Sequence, residues 1–285
     1  MPMWGPRRGR VALVWPNGDT GSQWFACARG ARNQGALRWA SGLGVETMLA
    51  WVKNQRVRGV DVVLPTQQQH ASVPMWQDAM QAHATLEESL QLQTGHDVVL
   101  DFCQPPEPPS DGDDRPVAVW WADAWLVEQV QQALQQVGAA CRSVQVPEFA
   151  LARGLTRLTA LDAAWQPVRW RQANHTHWLW VIHEGLQASL QASHLDARTA
   201  APQLQESNAP AVAWAKRAVA ATVWVLDEWD EPSAGERPAT PGHAPPSEVA
   251  LASRCLAEHA PPSLCGKDLA AWCQALGATW AEVPT

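Results

Sequence analysis

The stretch VAVWWADAWLVEQVQQALQQVGAACRSVQVPEFALARGL, Val117–Leu155, has the clearest alternation of secondary structure in the chain. Val117–Trp121 is a short apolar run typical of a buried strand, and the residues after it repeat apolar side chains at helical spacing. Arg142–Val146 then predicts a second strand, and Phe149–Leu161 predicts a second amphipathic helix. A strand–helix–strand order needs a crossover connection, so the sequence predicts an α/β fold.

The helix inside this stretch has sequence signals at both ends. Asp123 stands where its carboxylate could cap the first turn. Gly138 stands where a left-handed residue could end the helix. The apolar face between them is formed by Leu126, Val130, Ala133, Leu134 and Val137.

Towards the N-terminus, the sequence predicts three strands, a helix and another strand. Val11–Trp15, Gln23–Arg29 and Ala36–Ala40 are strand-like. Val45–Arg56 has the apolar spacing of a helix. Val60–Leu64 is a β-branched run before a proline, as expected of a buried strand.

The last third of the chain is less regular. His177–His183 and Leu186–Ala192 predict a strand pair. Val212–Val225 changes from a helical to a strand-like pattern. Leu269–Leu276 predicts a short helix that ends at Gly277. We find no internal sequence repeat.

Composition excludes several classes of protein. The chain has 285 residues, a net charge of −7 and no basic stripe, which argues against binding to a phosphate backbone. Its 18 tryptophans are scattered, so we expect most of them to fill the core. No apolar run approaches the roughly 18–20 residues of a membrane span. We therefore expect a cytoplasmic protein that reaches the membrane only through a partner.

The cysteines predict buried free thiols in a reducing compartment. None of the six forms a C-x-x-C pair, and most lie in strand-like or helical apolar patterns. The pattern favours neither a disulfide framework nor a zinc site. The six are Cys27, Cys103, Cys141, Cys255, Cys265 and Cys273.

Three passages resemble the PilM family of type IV pilus assembly proteins, with its HofM-type and MshI-type relatives. Val60–Pro65 (VDVVLP) is similar to a strand of that family, and Leu86–Phe102 (LEESLQLQTGHDVVLDF) to its helix and following strand. Val117–Leu155 follows the family order of strand, helix, glycine, strand and an acidic residue before a further helix. No single motif is diagnostic, and the resemblance lies in their order.

The resemblance implies an α/β, actin-like (ribonuclease H-like) fold of two lobes with an inserted small α/β subdomain. Residues 1–165 would form the first lobe, with the small subdomain at about 73–145. Residues 166–285 would form a shortened second lobe. The segment 230–247, which is rich in Pro, Gly and acidic residues, would be a flexible loop in it.

The resemblance also implies a site for ATP and magnesium between the lobes. This sequence lacks most of the motif residues of that site. An actin-like ATPase has Asp-x-Gly at the end of its first strand, but Trp15 stands there and Pro16-Asn17-Gly18 predicts an ordinary turn. The second hairpin, near residue 177, has no aspartate on its first strand. The residues left to a vestigial nucleotide site are Asp19, Thr20, Gly21, Ser22 and Gly266. We expect no nucleotide hydrolysis and no required cofactor, although ATP with magnesium stays possible by resemblance.

Two other sites can be considered. The D-T-G-S sequence at residues 19–22 also matches an aspartic protease, but no buried strand precedes the aspartate and no second one matches it. His175, His177 and His183 could suggest a metal site. Since Glu184 is the sole acidic residue beside them, strand histidines without metal are the better interpretation.

The leading hypothesis is a scaffold that binds the cytoplasmic tail of a single-pass, PilN-like inner-membrane protein, with no nucleic-acid partner. One alternative is an active member of the family that uses Mg-ATP as a switch. Another is the cytoplasmic actin-like component of a type II secretion system. A small-molecule enzyme on an unrelated α/β fold is the remaining rival, and no residue pattern specifies a substrate for it.

Overall fold

A computed structural model describes residues 9–15, 21–30, 37–103, 114–158, 166–171, 175–182, 185–193, 223–227, 248–250 and 268–280. The described helices are α1 (Val45–Gln55), α2 (Ala79–Thr94), α3 (Ala124–Gln136), α4 (Pro147–Leu158) and α5 (Leu269–Ala278). The described strands are β1 (Arg10–Val14), β2 (Gln23–Arg29), β3 (Arg38–Leu43), β4 (Gly59–Val63), β5 (Gln67–Pro74), β6 (Val98–Cys103), β7 (Asp114–Asp123), β8 (Ala140–Gln145), β9 (Gln166–Arg171), β10 (His175–Ile182), β11 (Gly185–Ser193), β12 (Val223–Asp227) and β13 (Glu248–Ala250).

The first sheet has five strands in the order β3-β2-β1-β4-β8. β1 and β2 are antiparallel, with Arg10 opposite Arg29. β4 and β8 are parallel, with Asp61 opposite Ser143 after a register shift at Val60. The apolar side chains of β1, from Val11 onward, are almost fully buried, as its uninterrupted apolar sequence requires.

The second sheet has the equivalent order, β11-β10-β9-β12-β13. β9, β10 and β11 form an antiparallel meander, and β12 is parallel to both β9 and β13. In both sheets, three consecutive strands lie side by side. A fourth strand pairs with the first of these three, and a fifth pairs with the fourth. The chain uses this topology twice without a detectable sequence repeat.

A smaller sheet of three strands, in the order β5-β7-β6, lies between the strands of the first sheet in sequence. It is antiparallel, and α2 packs on one of its faces. Alternate residues of each strand point to that face and bury against the helix. The shared core contains Val73, Ala82, Leu86, Leu90, Val98, Leu100, Val117, Val119 and Trp121.

The chain divides into two compact units. One consists of Met1–Val14, Phe25–Ala40 and Glu148–Thr285, and the other of Trp15–Trp24 and Ser41–Pro147. In the first unit every residue of α5 is buried, and Trp272 packs edge-on against Phe25 and Trp39. The second unit holds the small sheet and the strand pair β4–β8. The lobe boundaries at residues 165 and 166, and the loop at 230–247, stay predictions.

Most expected elements are present, and two details were wrong. Asp123 is the N-cap residue of α3, but its side chain makes no capping bond and instead contacts His96. Gly277 does not end the last helix, because it lies inside α5. Gly138 does adopt the expected left-handed conformation, with φ of +73°. No helix in the described part of the chain is long and apolar enough to cross a membrane.

Candidate functional site

Of the five residues predicted for a vestigial nucleotide site, the structure describes two, and both lie in the turn between β1 and β2. Gly21 and Ser22 directly precede β2, whereas Asp19, Thr20 and Gly266 lie outside the described residues. Trp15 follows β1, and its backbone N–H donates to the carbonyl of Val63 at 3.1 Å. Its indole Nε1 donates to Oγ of Ser22 at 2.7 Å, and the ring is almost fully buried.

This geometry gives the end of β1 an apolar character. The Ser22 carbonyl accepts from the backbone of Gly44 at 3.1 Å, which fixes the serine further. Magnesium prefers oxygen ligands in octahedral geometry, and an indole offers none. Trp15 and Ser22 therefore do not fit a magnesium–nucleotide site.

The first compact unit buries a polar cluster at the start of α4. Nδ1 of His177 on β10 lies 3.2 Å from Oε1 of Glu148, and both side chains are buried. The Trp170 ring on β9 packs against the imidazole, with 4.7 Å between ring centroids. Glu148 stands in the first turn of α4, where the helix dipole favours a negative charge.

The cluster has unused hydrogen-bonding capacity. Among the described residues, Oε2 of Glu148 and Nε1 of Trp170 are buried without a hydrogen-bond partner. Such atoms are uncommon in proteins and mark a place where a water or a small polar group could bind.

His177 thus pairs with a carboxylate, whereas the sequence predicts a strand histidine without metal and gives no sign of this partner. His183 and the side chain of His175 lie outside the described residues. Among the side chains that the structure describes, no group of three metal-ligating residues comes together. Glu148 is the acidic residue that the resemblance placed before the last helix of Val117–Leu155, but nothing in the sequence connects it with His177.

A second buried charge occupies the other compact unit. Asp61 on β4 accepts two hydrogen bonds from the guanidinium of Arg142 on β8, through Nε at 2.8 Å and through Nη2. Oγ of Ser143 also donates to Asp61, at 2.8 Å, and Gln145 donates to that hydroxyl at 3.3 Å. Asp61 interrupts an apolar β-branched run, which was the signal in the sequence for a buried pair.

Two of the described cysteines, Cys27 and Cys141, are not candidates for nucleophiles. Cys27, Cys141 and Cys273 are free thiols. Burial raises the pKa of the Cys27 thiol to about 12. Burial, followed by the nearby charge of Asp61, raises the pKa of Cys141 to about 11. A thiol with so high a pKa provides almost no thiolate near neutral pH.

The duplicated five-stranded order and the inserted three-stranded sheet define the class of the fold, which is actin-like α/β. Over 96% of its length the chain is similar to the solved structure of a PilM–PilN type IV pilus biogenesis complex. The match covers 99% of that chain, with a TM-score of 0.53 and 15% identity. The cytoplasmic domain of EpsL, an inner-membrane component of the type II secretion system of Vibrio cholerae, matches with 96% of each chain covered, a TM-score of 0.51 and 12% identity.

No family model matches the chain, and no curated protein sequence does. The likeness therefore lies in the fold, which identities of 12% and 15% can preserve. The predicted actin-like fold and its resemblance to PilM are confirmed at that level.

Proposed function

We propose that this protein is a cytoplasmic adaptor of type IV pilus assembly. It binds the cytoplasmic tail of a single-pass, PilN-like inner-membrane protein and does not hydrolyse nucleotide. The observation that carries the proposal is the similarity to the PilM–PilN complex over nearly the whole of both chains.

The turn at Trp15 supports the loss of hydrolysis. A buried indole follows β1, and the hydroxyl of Ser22 is engaged by that indole. An adaptor needs a stable surface and no phosphate contacts at this turn. A tryptophan here strengthens packing and removes a place for magnesium.

The small sheet offers a way to bind an extended tail. β7 is its central strand, so β5 and β6 each have an outer edge within the described residues of that sheet. Extended peptides commonly bind by adding a strand to such an edge or by lying in a neighbouring groove. We expect the tail to bind to this small sheet or to the helix α2 that packs on it.

The first test is an affinity capture of the tagged full chain from detergent-solubilised native cells, followed by mass spectrometry. We expect recovery of a single-pass pilus assembly protein and loss of that recovery when its cytoplasmic tail is deleted. A synthetic peptide of the same tail should then bind the purified chain directly. If no pilus or secretion protein exceeds a tag-only control, the adaptor proposal is wrong.

A second candidate function is the cytoplasmic actin-like component of a type II secretion system. The similarity to the EpsL cytoplasmic domain favours it as an alternative, with nearly the same coverage. The same capture separates the two functions, because recovery of a secretion protein in place of a pilus protein would select the second one.

A further inference from the structure

The outer face of α2 carries an apolar stripe that the fold does not use. The side of the helix facing the small sheet is buried through Ala82, Leu86 and Leu90. On the other side, Met80 and Leu92 are 76% and 81% exposed. Spacing of four residues places side chains along one side of a helix. Within α2 the positions at this spacing, which we call the α2 stripe, are Met80, Ala84, Glu88 and Leu92, and all of them are exposed. Trp76, in the turn before the helix, is 74% exposed as well.

The helix that carries the stripe is capped at both ends. Asp78 accepts hydrogen bonds from the backbone N–H groups of Met80 at 2.9 Å and Gln81 at 2.8 Å. The Gln81 side chain accepts from the backbone of Asp78, which completes a capping box. Gly95 ends the helix in the left-handed conformation. The backbone of α2 is therefore held in place, and two of the four stripe residues, Met80 and Leu92, are large and apolar.

The stretch of sequence that contains the stripe carries charge of one sign. Residues 59–114 contain ten acidic residues and no Lys or Arg, although the whole chain has 21 basic residues. The rest of the chain is consequently net positive. On α2 itself the charged side chains are Glu87 and Glu88, with His83 lying 3.7 Å from Glu87. A segment with this bias attracts cations and repels anionic lipid surfaces.

From the stripe and its charge we infer that the outer face of α2 is a docking surface for a cationic amphipathic segment of a partner protein. Apolar side chains of that segment would cover Met80 and Leu92, and its Lys or Arg residues would face Glu87 and Glu88. The inference rests on the proposed function for the choice of partner. Cytoplasmic segments next to a membrane span carry an excess of Lys and Arg, so the tail of a single-pass protein has the required chemistry.

The direct test uses the purified full chain and a fluorescent synthetic amphipathic helix made of Leu and Lys, followed by fluorescence anisotropy. A Leu–Glu peptide of the same pattern is the control probe. We expect the Leu–Lys peptide to bind, the Leu–Glu peptide not to bind, and the affinity to fall as salt rises from about 50 to 300 mM.

Three variants locate the binding. Met80→Gln with Leu92→Gln removes the apolar contacts and should weaken binding at least about tenfold, since burying apolar side chains drives the association. Glu87→Gln with Glu88→Gln should weaken binding and reduce its salt dependence. Leu43→Gln removes an equally exposed apolar residue on another element and should leave binding unchanged.

Several results would overturn the inference. One is that the Leu–Lys peptide does not bind at all, and another is that it binds equally to the Leu43→Gln and the Met80→Gln/Leu92→Gln variants. Self-association of the protein through the stripe, or binding of the stripe to anionic vesicles, would also contradict the inference. All substituted side chains are solvent-exposed, so unchanged circular dichroism serves as the folding control.

Applying the variants in the cellular capture separates this inference from the proposed function. If the Met80→Gln/Leu92→Gln variant still captures a pilus protein, the docking surface on α2 is wrong and the proposed function stands. If no pilus or secretion protein is captured but the Leu–Lys peptide still binds, the proposed function is wrong and the docking surface stands.

Discussion

At the scale of single residues, the pair of Asp61 and Arg142 joins two parallel strands. Asp61 is almost completely buried, whereas the arginine side chain is 26% exposed. A buried carboxylate is tolerated because the guanidinium and the hydroxyl of Ser143 together satisfy it. The pair links β4 to β8 through side chains in addition to their backbone pairing.

Breaking this pair on one side should be costly. Arg142→Met leaves the Asp61 carboxylate buried without its cation, and we expect the free energy of unfolding to fall by about 3 kcal/mol. Urea unfolding followed by circular dichroism measures the change. Lys53→Met, at an exposed position of α1, is the matched control and should change stability by less than about 0.5 kcal/mol. Equal effects of the two variants would contradict this account of Asp61.

A second residue-scale prediction concerns pH. Nε2 of His96 lies 2.6 Å from Oδ1 of Asp123, and this hydrogen bond, with smaller contributions from the charges of Asp123 and Asp97, raises the pKa of His96 above 6.5. The folded state therefore holds its proton more tightly than the unfolded state. The contact stabilises the fold fully below pH 6.5, and this contribution is lost as pH rises through the folded-state pKa.

The measurement is the urea midpoint of the natural chain and of His96→Gln at about pH 5.5 and about pH 8.5. The difference between the two proteins should be larger at the acidic pH. Asp123→Asn removes the acceptor charge and should shrink the same difference. If His96→Gln has the same effect at both values, the contact does not shift the pKa in the folded protein.

At the scale of elements, α4 and α5 contact each other through glycines. A Cβ built on Gly154 would overlap the carbonyl oxygen of Cys273, and one built on Gly277 would overlap that of Ala150. Arg153 also donates from Nε to the carbonyl of Gly277, at 3.3 Å. The two backbones approach so closely that both positions need glycine.

This contact predicts the sign of a substitution. Gly→Ala inside a helix normally stabilises by about 0.5–1 kcal/mol. Gly154→Ala should instead destabilise by about 1–3 kcal/mol or more, because the helices must separate. Thermal unfolding measures it, and Gly59→Ala, where a Cβ meets atoms at ordinary contact distance, is the control. A neutral or stabilising result at Gly154 would show that the helices move apart without cost.

Elements with a strong local pattern could be predicted from the sequence, and others could not. The sequence boundaries of β2 match the structure, and α3 with its left-handed Gly138 was also expected. β5 was missed because its sequence QQQHASVP is polar, and its strand conformation depends on pairing with β7, which lies more than 40 residues later. Gly277 was taken as a helix end because a local pattern cannot reveal the packing of α4.

The same limit applies to the candidate site. The sequence shows that Trp15 stands at the end of β1 and that most residues of the nucleotide motif are missing. The hydrogen bond from its indole to Ser22, and the meeting of Glu148 with His177, depend on long-range packing. A sequence places residues in order along the chain, and only the strand pairing decides which of them come within hydrogen-bonding distance.

At the scale of the whole molecule, two sheets share one strand order although their sequences do not repeat. Strand order is kept by the pattern of buried and exposed positions, which many sequences satisfy. The actin-like fold therefore does not decide whether nucleotide binds. That question depends on the side chains of the nucleotide motifs, and Trp15 stands at the first of them.

The nucleotide question yields a prediction for the intact chain. A ligand that binds only the folded state stabilises it by RT ln(1 + [L]/Kd), which is about 4 kcal/mol when the ligand is at about 1,000 times Kd. Because an indole occupies the end of β1, we expect millimolar Mg-ATP to leave the unfolding temperature unchanged relative to magnesium in a buffer of equal ionic strength. Asp19→Ala should behave like the natural chain in this measurement. A rise of several degrees with Mg-ATP that Asp19→Ala abolishes would instead establish the ATP-binding alternative, and with it a nucleotide-dependent switch in partner binding.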